Sequence, residues 1–110
     1  MIKNRTKNTI VAKNSKILKG FRSKSKGLIG SKSQEAVVFY TRFGIHTFGV
    51  RHPIDVIIAD KKLRVVRIKK NLQQNRLFLW NPKYNLVIEL GKGMVKKSKT
   101  EINDYLEIDL

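Results

Sequence analysis

Four residues with acid–base or metal-binding side chains lie close together in the sequence: His46, His52, Asp55 and Asp60. A histidine oriented by a carboxylate can act as a general base, and two histidines with carboxylates can hold zinc. However, no nucleophile motif lies beside them, and no two of them have metal-ligand spacing. His52 precedes Pro53 in a turn, and the two aspartates bracket an apolar run, where carboxylates often accept backbone N–H groups. We therefore expect no enzymatic activity, no metal site and no cofactor.

The length and composition predict one domain. The chain has 110 residues and no cysteine, which excludes a disulfide framework, thiolate catalysis and cysteine-ligated zinc. Residues 1–8 are polar and basic and predict a disordered arm, followed by a single domain over residues 9–110. The apolar run behind the basic start, residues 10–12, is too short for a secretion signal, and no segment approaches a membrane span. We expect a cytoplasmic protein.

The charge is the most unusual property of the sequence. Lysine and arginine number 24 against 8 aspartates and glutamates, for a net charge of +16. Lysine-rich surfaces of thermophilic proteins match their lysines with glutamates, but here the acids are missing. Residues 1–33 contain ten of the cations and no acid. Such self-repulsion favours a polyanionic partner, with nucleic acid first and an anionic membrane surface second.

The basic segment also has helical periodicity. Asn14 or Ser15 can cap a helix over residues 15–26, in which Ile17, Leu18 and Phe21 share one arc. Four cations fall on the opposite arc, and three more lie in the predicted arm. These seven residues form the predicted polyanion-binding site: Lys3, Arg5, Lys7, Lys16, Lys19, Arg22 and Lys26.

Short apolar and alternating runs predict a mostly β protein. The unbroken apolar run of residues 56–59 is expected to belong to the central strand, residues 54–59, which a hairpin turn joins to residues 64–69. The other predicted strands are residues 9–13, 36–40, 45–50, 76–80, 84–90 and 104–109. Eight strands and one helix indicate an α+β fold: a small, partly closed β-barrel, or a rolled antiparallel or mixed sheet, with the N-terminal helix near residues 15–26 covering one opening.

Two further positions are open to interpretation. Glu89 is the only charged residue in the apolar segment 86–90, and we interpret it as the exposed face of an edge strand. The alternative is a buried partner for an arginine or lysine. Among the aromatic residues, we expect Trp80 and Tyr84 to be the most exposed and available for base stacking.

Six segments follow one another in the sequence: Gly27-Leu28-Ile29, Val37-Val38-Phe39, Ile45 to Val50, Pro53 to Ile57, Val65 to Ile68 and Leu86 to Gly93. Their order resembles the domain of unknown function 192 family, in its short cytoplasmic form. The resemblance covers roughly residues 10–109 and implies a small β-rich fold with an early helix and no established activity. It marks His46, Pro53, Asp55 and Glu89 as motif positions without a known role.

Charge and resemblance together predict a non-catalytic binding module. We expect it to contact RNA or DNA through the basic helix face, with RNA favoured because structured RNA suits a compact basic domain. The alternative is a barrel that binds a small molecule inside a pocket.

Overall fold

The computed structural model describes residues 1–18, 35–48 and 52–109, which contain ten β-strands and one short helix. The mostly β class is therefore confirmed. The strands are β1 (Ile2–Asn4), β2 (Thr9–Ala12), β3 (Asn14–Ile17), β4 (Glu35–Tyr40), β5 (Ile45–His46), β6 (Ile54–Ala59), β7 (Val65–Leu72), β8 (Leu77–Phe78), β9 (Leu86–Gly91) and β10 (Leu106–Ile108), and the helix is α1 (Met94–Ser98).

The described strands form three sheets. The largest has five strands in the order β3-β4-β9-β6-β7, a second has the order β10-β1-β2, and the third is the pair β5-β8. All pairings are antiparallel except that of β3 with β4, so the five-stranded sheet is mixed. The described sheets do not close into a barrel, so the partly closed barrel that we predicted from the number of strands is not confirmed; the largest sheet is mixed, as the alternative prediction allowed.

The inner strands of the five-stranded sheet are buried on both faces, whereas its edge strands β3 and β7 are partly exposed. One face packs with Ile2, Val11, Val95 and Leu106, which come from the three-stranded sheet and α1. The other face packs with Ile45, Phe78 and Trp80 from the β5–β8 region. A strand that is covered on both faces has no reason to alternate polar and apolar residues, and this explains the unbroken run in β6.

The central strand of this sheet is β9 rather than β6. The predicted bounds of β6 are those observed, and all six of its residues are buried. It nevertheless lies between β9 and β7, while β9 lies between β4 and β6. The β6–β7 hairpin was predicted correctly, although β7 continues to Leu72.

The N-terminal segment is not a disordered arm, because Ile2–Asn4 forms the middle strand of the three-stranded sheet. Ile2 is fully buried, and Asn4 donates hydrogen bonds to Thr100 and Asp104. Thr100 and Asp104 are 96 and 100 residues away from Asn4 in the sequence. A short polar segment can therefore be ordered without any local signal in the sequence.

The predicted helix over residues 15–26 does not begin where we expected. Asn14–Ile17 forms β3 instead, which pairs in parallel with β4 through residues 35–38. Strand pairing supplies partners for the backbone groups of this segment and keeps Lys16 exposed beside the half-buried Ile17. Leu18 continues the pairing, since its N–H donates to the Val38 carbonyl, and residues 19–26 of the predicted helix lie outside the described residues.

Candidate functional site

The exposed cations of the predicted site lie on separate strands. Lys3 is exposed on β1, Arg5 follows that strand, and Lys16 is exposed on β3. The backbone N–H of Arg5 donates to the carbonyl of Tyr105 at 2.8 Å. The other predicted cations of the helix, Lys19, Arg22 and Lys26, lie outside the described residues.

Lys7 is already paired with carboxylates of the same chain. Its Nζ lies 2.7 Å from Oδ2 of Asp104 and 2.9 Å from Oε1 of Glu101. Hydrogen bonding to Asp104, and then to Glu101, raises the pKa of Lys7 above its ordinary value. A phosphate would have to displace these carboxylates in order to bind Lys7.

His46 and Asp55 are not arranged as a catalytic pair. The His46 ring is exposed and stacks on Phe48 with 5.1 Å between ring centroids, and its Nδ1 accepts a hydrogen bond from the Phe48 N–H. Both carboxylate oxygens of Asp55 accept backbone N–H groups, from Asn71, Gly93 and Val95. Within the described ranges, each group has a structural role.

The other two motif positions, Pro53 and Glu89, lie at or within strands of the five-stranded sheet. Pro53 immediately precedes β6 and is partly buried. Glu89 is buried in β9, opposite Val37 of β4 and Val56 of β6. Our interpretation of Glu89 as the exposed side of an edge strand is therefore wrong. The apolar run gave no information about how many neighbours the strand would have.

A cluster of cations surrounds one cleft at an end of the five-stranded sheet. Its volume is about 610 Å³. We call it the basic cleft, and its charged and aromatic lining residues are Arg42, Asp60, Lys61, Lys62, Arg64, Lys83, Tyr84 and Tyr105.

Strand register brings these turns together. Leu86 at the start of β9 is opposite both Tyr40 at the end of β4 and Ala59 at the end of β6, and Ala59 is also opposite Val65. The residues that follow β4 and β6, and those that precede β7 and β9, therefore lie at one end of the sheet. The Thr41 N–H bonds the Asn85 carbonyl at 2.9 Å across this end.

Asp60 organises the turn that carries two of the cleft lysines. Its Oδ1 accepts the backbone N–H groups of Lys62 and Arg64, and its Oδ2 lies 3.2 Å from Nε of Arg64. Burial alone would raise the pKa of Asp60, but these hydrogen bonds and the guanidinium lower it below its ordinary value. The carboxylate is thus ionised and engaged with the turn, while Lys61 and Lys62 remain exposed.

Two tyrosines provide aromatic surface in the cleft. Tyr105 is 41% exposed, and it also lines a shallow depression beside Arg5 and Thr6. Tyr84 is partly buried, with the Lys83 ammonium 5.8 Å from its ring centroid. Trp80, which we expected to be exposed, is buried and donates from Nε1 to the Tyr84 carbonyl. Its indole N–H thus has the hydrogen bond that allows a tryptophan to be buried.

The acids of the chain do little to neutralise this surface. Asp55, Glu89 and Asp104 are buried, Asp60 is bonded to Arg64, and Glu101 is bonded to Lys7. Five of the eight carboxylates are therefore buried or in local pairs, while the lysines and arginines of the described residues are exposed, apart from the partly buried Lys7 and Arg64.

The described residues contain no group of three or more His, Asp or Glu side chains that could hold a metal ion. In the same ranges, no helix has the length and apolar character needed to cross a membrane.

The sequence model of the domain of unknown function 192 family, described as "Uncharacterized ACR", matches residues 2–108. No curated protein matches the chain.

Two solved structures share the fold. A protein of unknown function from Novosphingobium aromaticivorans superposes with a TM-score of 0.72 at 17% identity, covering 86% of this chain and 74% of that one. A protein from Sinorhizobium meliloti named "putative transcription regulator" superposes with a TM-score of 0.62 at 14% identity, covering 84% of this chain and 78% of that one. At these identities the likeness concerns the fold alone.

Proposed function

We propose that this chain, which belongs to the domain of unknown function 192 family, is a non-catalytic module that binds nucleic acid, with RNA favoured. The basic cleft and the exposed cations of the N-terminal segment form the contact surface. The observation that carries this proposal is the convergence of five cations and two tyrosines on one cleft.

The chemistry of the cleft suits a single strand better than a duplex. Lys61, Lys62 and Lys83 are exposed and can contact successive phosphates, while Tyr105 offers a ring on which an unstacked base can stack. A volume of about 610 Å³ is in the range of small-ligand sites and can hold a base with its phosphate. This preference for unpaired bases supports structured RNA with loops as the partner.

Cations outside the cleft extend this surface. Arg5 lies beside Tyr105, and Lys3 and Lys16 are exposed on their strands. Lys19, Arg22 and Lys26 belong to the same acid-free segment of the sequence and are proposed as further contacts. Binding of this kind is electrostatic, with little base preference and a steep dependence on salt. The name of the Sinorhizobium meliloti protein is consistent with a nucleic-acid partner.

The test is a salt titration of binding to mixed-sequence single-stranded RNA, single-stranded DNA and duplex DNA, followed by fluorescence anisotropy. The cleft variant is Lys61→Gln/Lys62→Gln/Lys83→Gln. Its matched control, Lys13→Gln/Lys92→Gln/Lys97→Gln, removes the same charge from exposed lysines around a different depression, between β2 and α1.

We expect single-stranded RNA to bind most tightly. The slope of log K against log salt should become shallower by about 0.7 for each phosphate that the cleft variant no longer neutralises. The control should change the slope less. Equal slopes for the two variants, or no binding by the parent near physiological salt, would remove the basic cleft as a nucleic-acid site.

The N-terminal contribution needs a separate variant, Lys16→Gln/Lys19→Gln/Arg22→Gln/Lys26→Gln. If these residues bind phosphates, the slope should be shallower than that of the parent while the fold is retained, as judged by circular dichroism. Binding identical to that of the parent would limit the site to the cleft.

A small-molecule ligand is the second candidate, because the cleft volume is in the range of small-ligand sites. The cations would select a phosphorylated compound. A rise in melting temperature with a nucleoside triphosphate that persists at high salt, without RNA binding, would favour this function.

A further inference from the structure

The outer surface of the small β5–β8 sheet exposes large apolar side chains. Phe43 is 85% exposed, Leu77 is 63% exposed, and Leu79 and Phe48 are each more than half exposed. Soluble proteins seldom expose several such residues together unless they serve an interaction. We call Phe43, His46, Phe48, Leu77 and Leu79 the apolar face.

The residues of the apolar face adjoin one another. His46 of β5 is directly opposite Leu77 of β8, and the Phe48 ring stacks on His46. Leu79 lies against Gly44, the residue that follows Phe43. Ile45 and Phe78 alternate with these residues and point into the core. One side of the small sheet is therefore packed, and the other is an apolar surface.

The chain around this face contains no negative charge. Residues 36–54 and 61–88, which include both strands of the small sheet, contain no aspartate or glutamate. They contain two and eight lysines and arginines, respectively. Arg42 and Arg76 directly precede residues of the face and are exposed. The Arg42 guanidinium also donates to the carbonyls of Pro82 and Lys83 and lines the basic cleft, so Arg42 lies between the two surfaces. The surface is thus apolar at its centre and cationic at its border.

We propose that the apolar face docks on an anionic lipid bilayer surface. Apolar side chains would enter the headgroup region, and Arg42 and Arg76 would contact anionic headgroups, as at other interfacial binding surfaces. Leu77 and Leu79 favour lipid over nucleic-acid bases, because an aliphatic side chain has no ring to stack on. A second copy of the chain is disfavoured, because each copy carries a charge of +16.

The test measures co-sedimentation of the full chain with vesicles of phosphatidylcholine alone and with vesicles of equal parts phosphatidylcholine and phosphatidylglycerol. The variant Phe43→Gln/Leu77→Gln removes apolar surface from the face. The control Ile10→Gln/Ile102→Gln makes the same kind of change at two apolar residues outside the face that are about half exposed. All four positions are exposed, so melting temperatures should stay close to that of the parent.

The parent should bind the anionic vesicles at least about tenfold more tightly than the neutral vesicles, and the apolar-face variant should bind them about tenfold less tightly than the control variant. The same variant should bind RNA like the parent, which separates this proposal from the basic cleft.

Equal vesicle binding by the two variants would overturn the proposal, and so would the absence of binding to anionic vesicles. Self-association of the parent that is abolished in the variant, measured by analytical ultracentrifugation, would assign the face to a second copy instead. Loss of RNA binding in the same variant would assign it to nucleic acid.

Discussion

The carboxylate of Asp55 accepts a hydrogen bond from the backbone N–H of Val95 at 3.0 Å, which joins β6 to the first residues of α1. The same oxygen accepts the Gly93 N–H, and the other oxygen accepts the Asn71 N–H near the end of β7. One buried side chain therefore connects a strand to two other parts of the fold. Asp55 is a structural residue, although it occupies a motif position beside two histidines.

Replacing Asp55 by alanine should destabilise the protein by about 3 kcal/mol or more, because three backbone N–H groups are deprived of their acceptor and buried donors without partners are costly. Urea denaturation would measure the change. The exposed Asp109→Ala is the control and should have a much smaller effect. A loss below about 1 kcal/mol for Asp55→Ala would show that water replaces the carboxylate at little cost.

Asp104 should make stability depend on pH in the acid range. Burial alone would raise its pKa, but hydrogen bonds from Asn4 and Lys7 lower it below the ordinary value. A carboxylate with a lowered folded pKa stabilises the protein above its unfolded pKa, and this contribution is lost as the pH falls through the folded value. Asp104→Asn should therefore cost about 1–3 kcal/mol at neutral pH.

The difference in the free energy of unfolding between the parent and Asp104→Asn should shrink as the pH falls below about 4. Denaturation curves at several pH values would show this. A difference that stays constant down to about pH 2 would mean that the Asp104 carboxylate is not the titrating group. Glu107→Gln, at an exposed position on β10, is the control.

Gly44 and Gly93 form a matched pair for backbone substitution, since both have left-handed φ angles, of 86° and 90°. A Cβ on Gly44 would lie 2.9 Å from the Phe78 carbonyl and would clash with Leu79, whereas a Cβ on Gly93 would meet no atom within 4 Å. Gly93→Ala should cost about 1–2 kcal/mol from backbone strain alone, and Gly44→Ala should cost more. Equal losses of stability in thermal melts would indicate that the β5–β8 sheet shifts to relieve the clash.

Replacing Ile57 and Ile58 separately by alanine tests whether β6 is buried on both faces of the five-stranded sheet. Both are fully buried at adjacent positions of β6, and each belongs to the hydrophobic core of a different face. Each change to alanine should destabilise the protein by about 2–5 kcal/mol in urea denaturation. A small effect at one position only would show that the core on that face can collapse around the missing atoms.

The sequence alone determined the features that depend on local pattern. The run at residues 54–59 indicated a buried strand, and Asp60 followed by two lysines indicated the hairpin turn that the structure contains. The mostly β class followed from such short runs. Each of these predictions depends on residues within a few positions of one another, where side-chain periodicity and turn chemistry act directly.

The tertiary structure decided the features that depend on distant partners. Asn4 is ordered by Thr100 and Asp104, Glu89 is buried because its strand has a neighbour on each side, and β3 forms on the edge of β4. The basic cleft arises in the same way, since Arg42, Lys62 and Lys83 meet only through the register of four strands. Local composition specifies the positive charge of these residues, but strand pairing over long sequence separations determines where that charge is concentrated.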